Sequence, residues 1–209
     1  MKPYDLFNLI CNSSYTKSGD DVDWTIIIDN DEKTIRLLFQ ESASKRDWLN
    51  NFNFPKKLYK YQENNLWIAR GWGNAYKSCN DEIMASLIEA AYQYDNYKIE
   101  ISGWSYGGAL AQIAIEDFYY RTKFKADLVT FGSPKPLWGK KSVETVKKCC
   151  TSIKNYTVIN DIVPYMPPFP GYKLLNKIKL GESFNFFKIF NPWKYHTSYG
   201  DKTLYSEGN

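Results

Sequence analysis

The stretch whose residue types and spacing could do chemistry is Gly103-Trp104-Ser105-Tyr106-Gly107. It fits the pattern G-x-S-x-G, in which a serine stands at a sharp turn from a β-strand into an α-helix. Small residues on either side let the strand and the helix pack closely, and the turn holds the serine in a strained backbone conformation. Five positions with two free ones also match by chance, so the flanking elements must support the pattern. With them, it predicts Ser105 as a nucleophile.

His196 is the single histidine of the chain. A serine hydroxyl needs a neighbouring group that takes up its proton, and imidazole is suited to that near neutral pH. A lone histidine is more often a surface or packing residue than a base. If Ser105 attacks with the help of a histidine, however, that histidine must be His196.

A third residue would orient the imidazole. Hydrolases with this serine turn carry their acid between the serine and the histidine in the chain, which restricts the search to residues 106–195. Asp161 directly follows a predicted strand, at the carboxyl end where parallel sheets place their sites. Asp127 and Asp117 are weaker candidates because one begins a strand and the other lies within a helix. Asp161 is therefore the predicted partner of His196, with a simple turn residue before Pro164 as the alternative.

Alternating strands and helices surround these residues. Strands are predicted over residues 24–28, 34–39, 97–102, 126–131 and 153–160, and a further short one over 66–69. One helix is predicted over residues 1–16 and another over 142–149. A third is predicted to begin with an N-cap at Asn80, and a fourth directly after Ser105. The first two strands are predicted to form a hairpin across an Asx-rich turn. The pattern predicts an α/β fold with a mostly parallel central sheet flanked by helices, in one domain over residues 1–209.

Composition excludes several classes of protein. The charge of +4 arises from 27 Lys and Arg against 23 Asp and Glu, and the basic residues are scattered, which argues against nucleic-acid binding. The 4 cysteines show no C-x-x-C spacing, so neither a zinc site nor a disulfide framework is indicated. No metal and no cofactor are predicted. No stretch has the apolar length of a signal peptide or a transmembrane helix, and the expected location is cytoplasmic.

Four segments in order resemble the class 3 lipase family, the fungal triacylglycerol lipases and their relatives. They are Phe39-Gln40-Glu41-Ser42 with Asp47-Trp48, the serine turn running on to Ala111, Thr130-Phe131-Gly132-Ser133-Pro134, and Asn160-Asp161-Ile162-Val163-Pro164. The resemblance implies an α/β-hydrolase fold and hydrolysis of a carboxylic ester of a lipid or small molecule. It also implies a triad of Ser105, His196 and Asp161, an acyl-enzyme on the serine, and transient contact with a lipid surface.

Two further groups are expected at the site. The backbone N–H of Tyr106, the residue after the nucleophile, would donate to the oxyanion of the reaction intermediate. By the resemblance, Ser42 would supply the second donor. Trp104 and Trp72 are the predicted substrate contacts, and Trp104 stands where the family's serine turn has a histidine.

Departures from the family keep other functions open. Gln40-Glu41 replaces the usual Arg-Gly of the family. One alternative is therefore a catalytically impaired domain that serves as a binding module. The other is an acyl hydrolase or acyltransferase that acts on a non-lipid acyl group. Residues 52–67, the stretch comparable with the family's helical lid, are rich in Lys and Tyr. The aromatic run over 184–193 is predicted to line an acyl pocket or to form a core strand.

Overall fold

The computed structural model describes residues 1–20, 22–40, 56–61, 64–181 and 192–205. In these parts of the chain, a central sheet has seven strands in the order β1-β2-β3-β6-β7-β9-β11. The strands are β1 (Thr16–Ser18), β2 (Val22–Asp29), β3 (Thr34–Phe39), β6 (Lys98–Trp104), β7 (Ala126–Phe131), β9 (Cys150–Val158) and β11 (Ile178–Leu180). Pairing is antiparallel from β1 to β3 and parallel from β3 to β11, which confirms the predicted mostly parallel sheet.

Helices cover both faces of this sheet. They are α1 (Pro3–Asn12), α2 (Arg70–Lys77), α3 (Asn80–Gln93), α4 (Tyr106–Thr122), α5 (Gly139–Cys149) and α6 (Pro192–His196). The central helix α4 lies against β3, β6 and β7 and is flanked by α2, α3 and α5. In contrast, α1 packs with β6 and with two 3₁₀ turns, Ser198–Gly200 and Lys202–Tyr205, in a separate hydrophobic cluster.

Alternation along the parallel strands explains these two hydrophobic clusters. Successive side chains of a strand point to opposite faces of a sheet. In β7, Leu128 belongs to the cluster around α4, whereas Val129 belongs to the cluster around α1. The parallel strands are buried on both faces for this reason, as parallel sheets usually are.

The predicted hairpin is confirmed, with Ile28 opposite Ile35 and Trp24 opposite Phe39. Strands β6, β7 and β9 and helices α4 and α5 lie where they were predicted, with ends that shift by up to three residues, whereas β11 was not predicted. Strand β9 ends at Val158, two residues earlier than expected, so a short turn carries the chain from β9 to Asp161.

A second, antiparallel sheet has the order β10-β8-β5-β4 among the described residues. Its strands are β4 (Lys56–Tyr61), β5 (Asn64–Ala69), β8 (Leu137–Trp138) and β10 (Tyr172–Lys173). The described part of the stretch compared with a helical lid, residues 52–67, is therefore a strand pair and not a helix. Tyr59 pairs with Leu66 in this hairpin, and β5 reaches β8 through Ile68 and Leu137. No helix in the described ranges is long and apolar enough to cross a bilayer.

Candidate active site

Ser105 lies at the sharp turn between β6 and α4. Its backbone angles, φ 55° and ψ −121°, belong to a region that residues other than glycine rarely adopt, at a cost of about 1–3 kcal/mol. Long-range and local hydrogen bonds hold this conformation. The Ser105 N–H donates to the carbonyl of Phe131 on the neighbouring strand at 2.9 Å, and the Ser105 carbonyl accepts from the N–H of Gly108 at 3.0 Å.

Close backbone approach explains the glycines of the serine turn. A Cβ added at Gly103 would lie 2.3 Å from the carbonyl oxygen of Gly107, where strand β6 meets helix α4. A Cβ at Gly107 would lie 2.3 Å from the carbonyl oxygen of Phe39, at the end of β3. No side chain fits at either position, so the spacing of these glycines follows from the packing of β3, β6 and α4.

The hydroxyl of Ser105 meets the imidazole of His196. The Ser105 Oγ lies 2.7 Å from His196 Nε2, and His196 Nδ1 lies 2.9 Å from Asp161 Oδ2. A carboxylate accepts only, so Nδ1 carries the ring proton and Nε2 accepts from the serine hydroxyl. This is the arrangement in which an imidazole can take the proton from an attacking serine.

Both oxygens of Asp161 are engaged. Oδ1 accepts from the N–H of Val163 at 2.9 Å, while Oδ2 accepts from the hydroxyl of Tyr199 at 2.7 Å as well as from His196. The Tyr199 hydroxyl in turn accepts from the N–H of Val158 at 3.1 Å. Burial, and then the charge of Asp161, raise the pKa of Tyr199 well above its ordinary value, so this phenol stays protonated and donates to the carboxylate.

Tyr199 and Gly132 are site residues that the sequence analysis missed. Tyr199 lies three positions after His196 in the sequence, and this closeness was the signal that could have indicated it as a site residue. Gly132 has φ +56°, and a Cβ there would lie 2.9 Å from Tyr199 Cε2 and 3.0 Å from His196 Cε1. Gly132, the glycine of the Thr130-Phe131-Gly132-Ser133-Pro134 segment, therefore leaves room for the imidazole and the phenol.

The three hydrogen-bonded side chains are shielded from water. Ser105 and His196 have 0% of their surface exposed and Asp161 has 1%. Exclusion of water strengthens the electrostatic interactions among them.

The alternative acids lie elsewhere. Asp127, at the start of β7, accepts from the hydroxyl of Ser152, and Asp117 in α4 accepts from Tyr76 and Arg121. Neither aspartate contacts His196. Asp161 is thus the carboxylate that the fold brings to the imidazole.

The remaining predicted residues have different positions. Tyr106 is the first residue of α4, at the helix end where the dipole is positive, and is partly buried. Trp104 stacks on the His196 ring, with ring centroids 5.7 Å apart. Trp72 is only 3% exposed and packs in the hydrophobic cluster around α4, so its described role is packing and its substrate contact stays a prediction. Ser42 lies outside the described residues, and its role as an oxyanion donor also stays a prediction.

A cavity of about 350 Å³ lies at the amino ends of the parallel strands, whereas Ser105 lies at their carboxyl ends. Its walls include Ile88 of α3, Ile99 near the start of β6, Phe118 of α4 and Phe124 before β7. Ser105 follows the other end of β6. The cavity is therefore separate from the hydrogen-bonded Ser105, His196 and Asp161.

A mostly parallel sheet with a serine turn after a central strand, and with an acid and a histidine from later segments, defines an α/β-hydrolase. The model of the family described as lipase (class 3) matches residues 37–170, which is more than half of the chain. The chain belongs to this family. The matched range contains Ser105 and Asp161 and ends before His196.

Similar proteins support the same family. The chain is 30% identical over 146 residues to a lipase of Rhizomucor miehei. This aligned stretch covers 66% of this chain and 38% of the relative. It is 29% identical over 120 residues to secreted mono- and diacylglycerol lipase 1 of Fusarium solani, over 57% of this chain and 35% of the relative. The chain spans less than half of the length of these curated relatives.

The fold is also that of solved lipase structures. Rhizomucor miehei triacylglyceride lipase superposes with a TM-score of 0.74 at 23% identity, covering 81% of this chain and 66% of that chain. At this identity the likeness concerns the fold alone, and it confirms the predicted α/β-hydrolase architecture.

Proposed function

We propose that this chain is a serine carboxylic ester hydrolase. The observation that carries the proposal is the hydrogen-bonded series from Ser105 Oγ through His196 to Asp161, buried beneath the surface and built on a strained serine turn. Strained backbone conformations persist where the surrounding structure supports them, and they cluster at active sites.

In the proposed mechanism, Ser105 Oγ attacks the carbonyl carbon of the ester while His196 Nε2 takes up the hydroxyl proton. His196 then gives this proton to the leaving alkoxide, which leaves an acyl group on Ser105. A water molecule attacks this acyl-enzyme with His196 again as the base and releases the carboxylic acid. Asp161 fixes the orientation of the imidazole and stabilises its charged form, and the Tyr199 hydroxyl holds Asp161 in place.

The negative oxygen of the tetrahedral intermediate needs hydrogen-bond donors. The first is the N–H of Tyr106, because it follows the nucleophile at the amino end of α4, where the helix dipole favours negative charge. The proposed second donor is Ser42. Loss of one such donor typically lowers kcat by about two to three powers of ten.

The proposed substrates are esters of lipids, in line with the relatives named as lipases and as mono- and diacylglycerol lipases. Full burial of Ser105 supports a site that opens when such a substrate arrives. A non-lipid acyl group and a binding module are the alternatives that experiment must exclude. The cytoplasmic location stays a prediction.

A covalent probe tests the nucleophile. We expect a fluorophosphonate to label the wild-type protein, and Ser105→Ala to lose both the label and ester hydrolysis, with kcat lower by roughly four to six powers of ten. The matched control is Ser86→Ala, since Ser86 is a partly exposed serine of α3 whose hydroxyl donates to the carbonyl of Glu82 within the same helix. Label that persists in Ser105→Ala would exclude the proposed nucleophile, and a wild type without label or hydrolysis would favour the binding module.

Substrate class is tested separately with the same protein. Rates on p-nitrophenyl esters of increasing chain length are compared with rates on emulsified monoacylglycerol and diacylglycerol. We expect long-chain and glyceride esters to be hydrolysed. Activity confined to short, soluble esters would contradict the lipid assignment and leave the hydrolase intact.

A further inference from the structure

Trp104 lies between the N-terminal helix and the imidazole of His196. Its indole stacks on His196 with the ring planes 29° apart and the centroids at 5.7 Å. Phe7 of α1 meets the same indole edge-on, at 5.4 Å and 73°. The indole is only 9% exposed, so His196 has an aromatic wall in place of water beside one side of its ring.

We propose that Trp104 is a positioning residue for His196, and that Phe7 of α1 holds the indole in its stacked orientation. The inference rests on the proposed function and names two residues that serve it. During the attack of Ser105 the imidazole gains a proton and becomes a cation. The face of an indole attracts a cation whose distance to the ring centroid is within about 6 Å, and more strongly when water is excluded.

The indole nitrogen argues against a role in packing alone. Trp104 Nε1 is buried and has no hydrogen-bond partner among the described residues. A buried N–H without a partner destabilises a fold, and phenylalanine or leucine would fill space without that cost. The indole also has the stronger π face for a cation, which a packing residue does not need.

Phe7 is placed to hold this arrangement from the other side. Besides Trp104, it contacts Phe131 at 5.4 Å and Tyr199 at 5.8 Å. The carbonyl of Phe131 accepts from the N–H of Ser105, and the hydroxyl of Tyr199 donates to Asp161. One side chain of α1 thus packs against a neighbour of each member of the proposed triad.

Neither residue of this arrangement is typical of the matched family region. One differs from the family's usual residue, and the other lies before the residues that match the family model. Trp104 stands where the family's serine turn has a histidine, as the resemblance in sequence indicated. Helix α1 precedes residues 37–170, which carry the family match. The support of His196 by Phe7 and Trp104 therefore does not follow from membership of the family.

The single histidine of the chain allows a direct test that does not depend on activity. The proton NMR signal of the His196 ring is followed against pH in the wild type and in Trp104→Leu, Trp104→Phe and Phe7→Leu. Loss of the π face makes the protonated ring less stable. We therefore expect the midpoint to move to lower pH by about half a unit to one unit in Trp104→Leu. Trp104→Phe should show a smaller shift in the same direction, as should Phe7→Leu.

Steady-state kinetics provide the second readout. With a small p-nitrophenyl ester, kcat should fall about tenfold in Trp104→Leu, with KM changed less than about twofold. The acid limb of kcat/KM should move to lower pH together with the NMR midpoint. Among the residues that the structure describes, the titratable groups in contact with His196 are Asp161 and Tyr199, and both are unchanged in every variant, so a shift reports the indole.

Trp24→Leu is the matched control because Trp24 is a buried tryptophan of the same sheet that pairs with β3 and donates to Ser18. It should lower stability and leave the midpoint in place. An unchanged or raised midpoint in Trp104→Leu, or an equal shift in Trp24→Leu, would overturn the role of Trp104. An unchanged midpoint in Phe7→Leu would overturn the role of α1. Failure of the proposed function would show instead as absence of label and hydrolysis in the wild type, whatever the NMR midpoints.

Discussion

At the scale of single residues, one carboxylate oxygen organises the site. Asp161 Oδ2 accepts from both His196 and Tyr199, at 2.9 Å and 2.7 Å. Two donors in fixed positions define where this oxygen lies, and the orientation of the imidazole follows from it. Gly132 makes room for both donors, since any side chain there would contact the rings of His196 and Tyr199.

Gly132→Ala should therefore impair the site and the fold together. At φ +56°, an added Cβ would lie 2.9 Å from Tyr199 and 3.0 Å from His196. We expect a loss of about 1–2 kcal/mol in the free energy of unfolding from the backbone alone. Displacement of the imidazole should lower kcat about ten- to a hundredfold. Urea denaturation and ester hydrolysis measure the two effects.

Gly139→Ala separates backbone strain from crowding. Gly139 also has a positive φ, +79°, but a Cβ there would meet no atom within 4 Å. It should lose a similar amount of stability and keep its kcat. Equal kcat values in the two variants would contradict the spatial role assigned to Gly132.

At the scale of elements, a polar cluster around the buried carboxylate of Asp117 joins three helices on the α4 face of the sheet. Asp117 of α4 accepts from the hydroxyl of Tyr76 in α2 at 2.8 Å and from Arg121 at 2.8 Å. Arg121 also donates to Asp81 of α3 at 2.6 Å. Burial raises the pKa of Asp117, while the Arg121 guanidinium and these donors counteract the rise. The cluster positions the helices that support the serine turn and has no contact with His196.

Tyr76→Phe should destabilise the protein without changing its chemistry. The change removes one donor from a buried carboxylate, for which we expect a loss of about 1–3 kcal/mol in the free energy of unfolding. The value of kcat should be unchanged. Tyr92→Phe, at a tyrosine of α3 that is 81% exposed, is the control and should stay within about 0.5 kcal/mol of the wild type. A large fall in kcat for Tyr76→Phe would show that the cluster also shapes the active site.

Elements with a local signal were predicted well. Helix α3 was predicted with Asn80 as its N-cap, and this position was wrong by one residue. Cys79 is the N-cap, and Asn80 is the first residue of the helix, with its side-chain amide donating to Asp117. The β4–β5 hairpin was not recognised beyond a short strand at residues 66–69. The sequence over residues 56–69 shows no clear alternation of apolar and polar residues. Strand β5 is positioned by β8, a strand far along the chain.

At the scale of the whole molecule, burial of tyrosine side chains links the fold to alkaline pH. Burial raises the pKa of Tyr172 to about 12. In the unfolded chain this phenol ionises near its ordinary value of about 10, so the unfolded state binds fewer protons than the folded state between these values. Tyr172 therefore contributes stability that is present below pH 10 and is lost as pH rises.

The corresponding prediction compares wild type with Tyr172→Phe. The free energy of unfolding of the wild type should fall as pH rises above 10. In Tyr172→Phe the slope of this fall should be smaller by up to about 1.4 kcal/mol per pH unit. Urea denaturation at pH 9, 10 and 11 measures both slopes. Parallel curves for the two proteins would refute the contribution of Tyr172.

The sequence by itself determined the order of the strands and helices that carry the site, the serine turn and the candidates Ser105, Asp161 and His196. These depend on local periodicity, on glycine spacing and on the presence of a single histidine. Only the tertiary structure decided which side chains contact one another at the site. Ser105 and His196 are 91 positions apart, and Tyr199, Gly132 and Phe7 reach them from different elements. Contacts between distant segments depend on how helices and strands pack, which no local pattern specifies.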